Sequence, residues 1–167
     1  ANPNVGCVIV KNGIILGRGW TQPGGRPHAE EMALAQAGAS AKGADIYVTM
    51  EPCAHDSTRG PTCSVSIIAV KPRRVIVATL DADERTRRRG IDRLGDAGIP
   101  VSVGIREWEA RRAMAGFLCR LENSRPFVTL KLALSLDGCI AMADGSSQWI
   151  TGGEARAHAH LERARSD

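Results

Sequence analysis

Asp45-Ile46-Tyr47-Val48-Thr49-Met50-Glu51-Pro52-Cys53 is the stretch that decides how this chain is read. Its first six residues are mainly β-branched, aromatic or apolar, the composition of a short buried strand. The strand runs directly into Pro-Cys, so a thiol stands at its carboxyl end. Upstream, Pro27-His28-Ala29-Glu30 follows a Gly/Pro loop over 22–27 and opens a helix that reaches about residue 37; proline fits the first turn of a helix. Downstream, nine residues separate Cys53 from Cys63, which starts a second short helix over 63–69. An imidazole at one helix start, a thiol at a strand end and a thiol at the next helix start can meet at one point.

The flanking segments supply the rest of an α/β layer. Residues 7–10 and 14–19 are two β-branched runs around Lys11-Asn12-Gly13, a tight-turn signal that predicts a hairpin. Gly38 to Gly43 breaks the first helix. Further strands are expected at 74–78 and 100–103, with a helix over 87–97 between them and a longer helix over 107–122. This order predicts a layered α/β sandwich whose strands are parallel after the opening hairpin. Asn123-Ser124-Arg125-Pro126 is a polar turn closing on proline and marks a boundary. The expected organisation is a first domain over 1–122, a linker over 123–126, and the start of a second domain over 127–167 with strands at 127–133 and 139–143. A segment of about 40 residues is too short to bury a core of its own.

Zinc takes thiolate and imidazole ligands, and a catalytic zinc keeps one position open for water. With Glu30 moving protons without binding metal, His28, Cys53 and Cys63 form the set by which zinc deaminases hydrolyse an amino group off a nitrogen heterocycle. Residues two apart do not share a face of a regular helix, so His28 and Glu30 converge only if His28 sits at an irregular first turn. A thiolate is favoured near a helix N-terminus, which suits Cys63. Two plainer readings stand beside this one. His28 can be a helix cap, with the cysteines as small buried apolar residues. Alternatively the zinc is structural and completed by His55 or Asp56, which leaves Glu30 without a task.

Composition narrows the partners. A net charge of +4 suits a phosphorylated small molecule as well as nucleic acid. Aromatic residues make up only 4% of the chain, leaving few platforms for stacked bases. Nucleic-acid deaminases also carry Pro-Cys-x-x-Cys, a much shorter spacing than the one here. A tRNA or single-stranded nucleic-acid base deaminase is therefore the alternative, and no nucleic-acid partner is expected. Five cysteines without a secretory signal point to reduced thiols and a cytoplasmic setting. No apolar run is long enough to span a bilayer, so no membrane partner is expected either. The start without Met and the end in mid-pattern read as a piece of a longer protein. The run from Arg85 to Arg89 reads as a solvated helix start, and Cys7 and Cys119 as core.

Other stretches follow in a fixed order: Asn2-Pro3-Asn4-Val5-Gly6-Cys7-Val8-Ile9-Val10, Glu51-Pro52-Cys53-Ala54-His55, Pro126-Phe127-Val128-Thr129-Leu130-Lys131, Ser135-Leu136-Asp137-Gly138 and Ser147-Gln148-Trp149-Ile150-Thr151-Gly152. In these the chain resembles the bifunctional riboflavin-biosynthesis enzymes that join a pyrimidine deaminase to a ribose reductase. The resemblance implies a cytidine-deaminase-like three-layer sandwich followed by the start of a dihydrofolate-reductase-like α/β domain. It implies zinc on His28, Cys53 and Cys63, Glu30 as proton carrier, and Asn2, His55 and Arg59 around a phosphoribosylated diaminopyrimidinone. In the second segment it implies Ala133 and Trp149 against NADPH, and Ser147 and Arg163 on the sugar phosphate. A homo-oligomer is compatible with it. The chain departs from the family pattern in a Cys-to-Cys loop one residue longer, in Thr21 for a histidine and in Cys139 for a lysine. Asp81-Ala82-Asp83-Glu84 stands where Asp-Pro-Asn-Pro is usual. The family's first helix and most of its reductase domain are missing, so deamination alone is expected of this segment.

Overall fold

The computed structural model describes residues 2–55, 60–84 and 86–166. Strands β1 (Gly6–Lys11) and β2 (Ile14–Trp20) form the expected antiparallel hairpin. Its turn residues Asn12 and Gly13 sit at φ 51° and 77°, the left-handed pair that such a two-residue turn demands. β1 pairs antiparallel on its other side with β3 (Asp45–Met50), and β3, β4 (Arg74–Thr79) and β5 (Val101–Val103) run parallel. The sheet order is β2-β1-β3-β4-β5. Helices α1 (Ala29–Ala37), α2 (Cys63–Val70) and α3 (Arg89–Asp96) connect the successive strands. β4 is buried from Val75 to Thr79, so both of its faces are covered, as in a three-layer sandwich.

What sets the place of α1 is the absence of side chains on β2. A Cβ at Gly17 would lie 2.2 Å from the Ala33 carbonyl oxygen, and one at Gly19 2.1 Å from that of Ala29. The facing stripe of α1 is Ala29, Ala33 and Ala37, all buried and spaced four apart. Helix and strand therefore meet backbone to backbone. The core beneath is filled by Ile9, Ile46, Ile67, Val75, Val77 and Leu94, all fully buried.

The parallel β3–β4 pair is pinned at its start. Asp45 is paired in register with Arg74, and its carboxylate accepts from Arg73 Nε at 2.7 Å and from Arg74 Nη2 at 3.0 Å. The Arg73 hydrogen bond, aided by Arg74 and opposed by burial, holds this carboxyl at about 2.

Two expectations are corrected. The helix over 107–122 is in fact two, α4 (Glu107–Ala113) and α5 (Ala115–Asn123), broken at Met114 with φ −114° and ψ 18°. Met114 is buried, and Arg111 reaches across the break to Glu122 at 2.7 Å. The strands expected at 127–133 and 139–143 are not formed either. That stretch has no ladder partner among the described residues, and a strand exists only where a neighbour takes its N–H and C=O groups. Val128, Leu130 and Leu132 are accordingly exposed. The chain divides into two compact units, Ala1–Phe127 and Val128–Asp167, the second carrying one helix, α6 (Gly153–Ala164).

Two outcomes follow. Gly19→Ala should cost about 1–3 kcal/mol in chemical denaturation through overpacking against α1; a neutral result would contradict the backbone contact. Asp45 has a folded-state value below its unfolded value of about 4, so its contribution is complete above pH ~4 and is lost as the pH falls toward 2. Asp45→Asn should melt below the parent protein near neutral pH, with the gap closing on acidification.

Candidate metal centre and active-site cavity

Three interruptions of regular structure bring the donors together. His28 is the N-cap of α1, with extended backbone angles of −72° and 163°. This is the irregular position that lets it converge with Glu30, two residues on. Cys53 lies past the end of β3, and Cys63 is the first residue of α2. His28 Nδ1 is 3.2 Å from Cys63 Sγ and 3.6 Å from Cys53 Sγ, and all three donor atoms lie within 4.8 Å of one another. A tetrahedral zinc with bonds of about 2.0–2.3 Å holds its ligand atoms roughly 3.5–3.8 Å apart, so this donor set can hold the ion with small adjustments. Among the described residues the cluster comprises these three alone. His55 is not in it, while Asp56 and Arg59 lie outside the described residues.

The two thiols sit in unequal surroundings. Hydrogen bonding from Cys63 and His28 holds the Cys53 thiol down at about 4, with the Cys63 backbone N–H contributing at 3.2 Å. The same hydrogen bond pushes Cys63 up. The first N–H of α2 is thus directed at Cys53 rather than at its own residue's sulfur. His28 is raised chiefly by its hydrogen bond to Cys53.

Two of the donors are braced. Glu31 Oε2 accepts the His28 N–H at 2.6 Å, and Arg26 Nη1 holds Glu31 Oε1 at 3.1 Å while reaching Pro61 O at 3.5 Å. The Cys53 carbonyl accepts from Ser64 N at 3.1 Å and Ser64 Oγ at 3.0 Å. Sequence reading passed over Glu31, although an acidic residue three places after the cap is the mark of a capping box.

His28, Glu30 and Cys53 open on a cavity of about 650 Å³ that Asn2, Thr21 and His55 also line. Asn2 and His55 are therefore gathered at the same cavity. Glu30 is 3% exposed, and burial pushes its carboxyl up to about 7. In the second unit, Ser147 and Trp149 line one hollow of about 450 Å³. Ala133 and Arg163 are not among its lining residues; Arg163 Nη1 instead lies 3.2 Å from His160 Nδ1 along α6. No described helix is long and apolar enough to cross a membrane.

A mixed sheet of this order with an imidazole–thiol–thiol cluster at one end defines the cytidine-deaminase-like class. Residues 1–79 match the family described as the cytidine and deoxycytidylate deaminase zinc-binding region, and residues 126–167 the RibD C-terminal domain. Over 165 residues, 99% of its length, the chain is 49% identical to the riboflavin biosynthesis protein RibD of Haemophilus influenzae, covering 44% of it. A solved structure of Acinetobacter baumannii RibD superposes with a TM-score of 0.85 at 46% identity, over 98% of this chain and 46% of that one. The diaminohydroxyphosphoribosylaminopyrimidine deaminase/5-amino-6-(5-phosphoribosylamino)uracil reductase of Thermotoga maritima gives 0.87 at 36% identity, over 96% and 46%. Along its whole length the chain is homologous to RibD proteins, and it spans a little under half the length of these relatives.

The brace on His28 is testable. Glu31→Ala should weaken zinc binding by about 10–100-fold in a chelator competition, the usual effect of losing a group that orients a ligand. An unchanged affinity would deny the brace its role.

Proposed function

We propose that the first unit is a zinc-dependent hydrolase that removes an amino group from 2,5-diamino-6-(5-phosphoribosylamino)pyrimidin-4-one in riboflavin biosynthesis. The observation that carries this reading is Glu30. It is a buried carboxyl, no part of the donor cluster, opening on the same cavity as His28 and Cys53. His28, Cys53 and Cys63 are the zinc ligands. When bound, zinc supplies the Lewis acidity that brings the ionisation of water into the neutral range. Glu30 takes a proton from the attacking water, delivers it to the ring nitrogen, and later protonates the departing ammonia. One C–O bond forms, one C–N bond breaks, and water is consumed as ammonia leaves.

Asn2 and His55 hold the pyrimidine, and Arg59, which lies outside the described residues, is assigned to the same substrate. In the full-length protein the second domain uses NADPH to reduce the ribosyl group. Trp149 and Ala133 are assigned to the cofactor, and Ser147 and Arg163 to the sugar phosphate. A nucleic-acid base deaminase is not favoured. The likeness to RibD proteins runs the whole length of the chain, and Phe117 is the one Phe, Tyr or Trp among the described residues lining the cavity.

The test is ammonia release by the full-length protein from the phosphoribosylated diaminopyrimidinone, beside cytidine and a single-stranded oligonucleotide. Release from the first substrate alone is expected. Glu30→Gln should lose about 10²–10⁴-fold in turnover while keeping its zinc, whereas Cys63→Ser should lose the metal. Near-normal turnover by the glutamine variant would remove Glu30 from the proton path.

A further inference from the structure

A second carboxylate, Glu51, lines the same cavity and is 4% exposed, yet the deamination scheme gives it no task. Its contacts are backbone N–H groups from a segment far away in sequence. Oε1 accepts from Gly90 at 2.9 Å and Ile91 at 3.3 Å; Oε2 accepts from Arg88 at 2.9 Å and Asp81 at 3.2 Å. Helix α3 starts at Arg89, and its N-cap residue Arg88 lies in the left-handed region at φ 69° without a side-chain cap. The first N–H groups of a helix need acceptors and favour negative charge. Here Glu51 provides both from the end of β3.

The same two segments also touch directly. A Cβ at Gly90 would stand 2.0 Å from the carbonyl oxygen of Pro52, the residue between Glu51 and Cys53. Further along α3, Arg93 Nη1 donates to Thr62 Oγ1 at 3.2 Å, next to Cys63. The 81–91 segment is therefore fastened to the cysteine-bearing turns, and it supplies Asp81, Asp83, Thr86 and Arg89 to the cavity wall.

We propose that Glu51 is a positioning residue for substrate binding, holding the 81–91 wall of the cavity against the Cys53 turn. The proposal rests on the deaminase reading above. Glu51→Gln is isosteric, but its amide NH₂ must face N–H donors that now meet an acceptor. The wall then loses up to two of its four bonds. Substrate affinity should suffer more than proton transfer, because Glu30 and the metal donors keep their places.

The experiment measures ammonia release and zinc content of the full-length protein as Glu51→Gln and, independently, as Gly90→Ala. Both should raise KM for the pyrimidine substrate by about tenfold or more, with kcat changed far less and one zinc retained, the pattern of lost binding rather than lost chemistry. A lowered melting temperature with unchanged KM would overturn the proposal, leaving Glu51 a plain fold residue. A collapse of kcat at constant KM would overturn it in favour of proton transfer. Amide hydrogen exchange on the unmutated protein is the check that needs no variant. The Arg88 and Gly90 N–H groups should exchange as slowly as the β3–β4 ladder, and fast exchange would overturn the joint. If the unmutated protein releases no ammonia, the deaminase reading fails and the affinity role with it, whatever the exchange shows.

Discussion

Three donor atoms carried by three different elements can share one metal only if the backbone stops in the right place three times. The parallel part of the sheet meets this constraint by ending β3 just before Cys53 and returning through α2, which begins on Cys63. The third donor depends on α1, and α1 depends on β2 having no side chains where the two cross. With Gly17 and Gly19 bare, the helix lies against the strand, and its N-cap His28 arrives beside the thiols. A helix packed on ordinary side chains would stand several ångström further out, beyond reach of a metal held by the two cysteines. The chemistry thus rests on a packing detail one element away from it.

Three buried carboxylates illustrate how the fold separates structure from reactivity. Asp45 is compensated by two guanidinium groups and stays ionised to low pH. Glu51 is compensated by four backbone N–H groups. Among the described residues Glu30 has no cation hydrogen-bonded to it, and burial dominates, so its proton is held into the neutral range. A group that can both take and give a proton near pH 7 is what general acid–base chemistry requires. The ordering of environments, more than any single motif, sets the one carboxyl held near neutrality apart from the two that are fully partnered.

Much of this was legible in the sequence because its signals are local. Asn12-Gly13 between β-branched runs specifies a hairpin turn, and a strand running into Pro-Cys needs no partner to be recognised. His28, Cys53 and Cys63 were grouped by residue type and element end, and the structure brings these three together, with His28, Cys53 and Glu30 on the same cavity. What escaped was set by distance. The break at Met114 has no proline to announce it and follows from how a buried methionine and an Arg111–Glu122 pair fit against the core. The alternation over 127–133 has the pattern of a strand, but pattern does not supply a neighbour. Which thiol is held down depended on the side chains around Cys53, chiefly Cys63 and His28, which come from other elements. Glu51 could not be read at all, since its role is to accept hydrogen bonds from residues 30 to 40 positions later.

Asp81, Asp83 and Thr86 show how the cavity wall keeps a shape without the prolines usual at Ala82 and Glu84. Asp81 Oδ1 accepts the Asp83 N–H at 3.0 Å, and Thr86 Oγ1 donates to Asp81 Oδ2 at 2.8 Å. The Asp83 carbonyl in turn accepts from Thr86 and Arg87 at 2.9 and 2.8 Å. A side-chain carboxylate folding back on its own turn imitates the restriction that proline imposes through φ. The two are not equivalent. Proline restricts the unfolded chain as well, whereas these hydrogen bonds form only in the folded turn and must compete with water. A wall built this way has fewer covalent limits on its own shape. It leans correspondingly harder on the place where it is fastened, the Glu51 carboxylate beside Cys53.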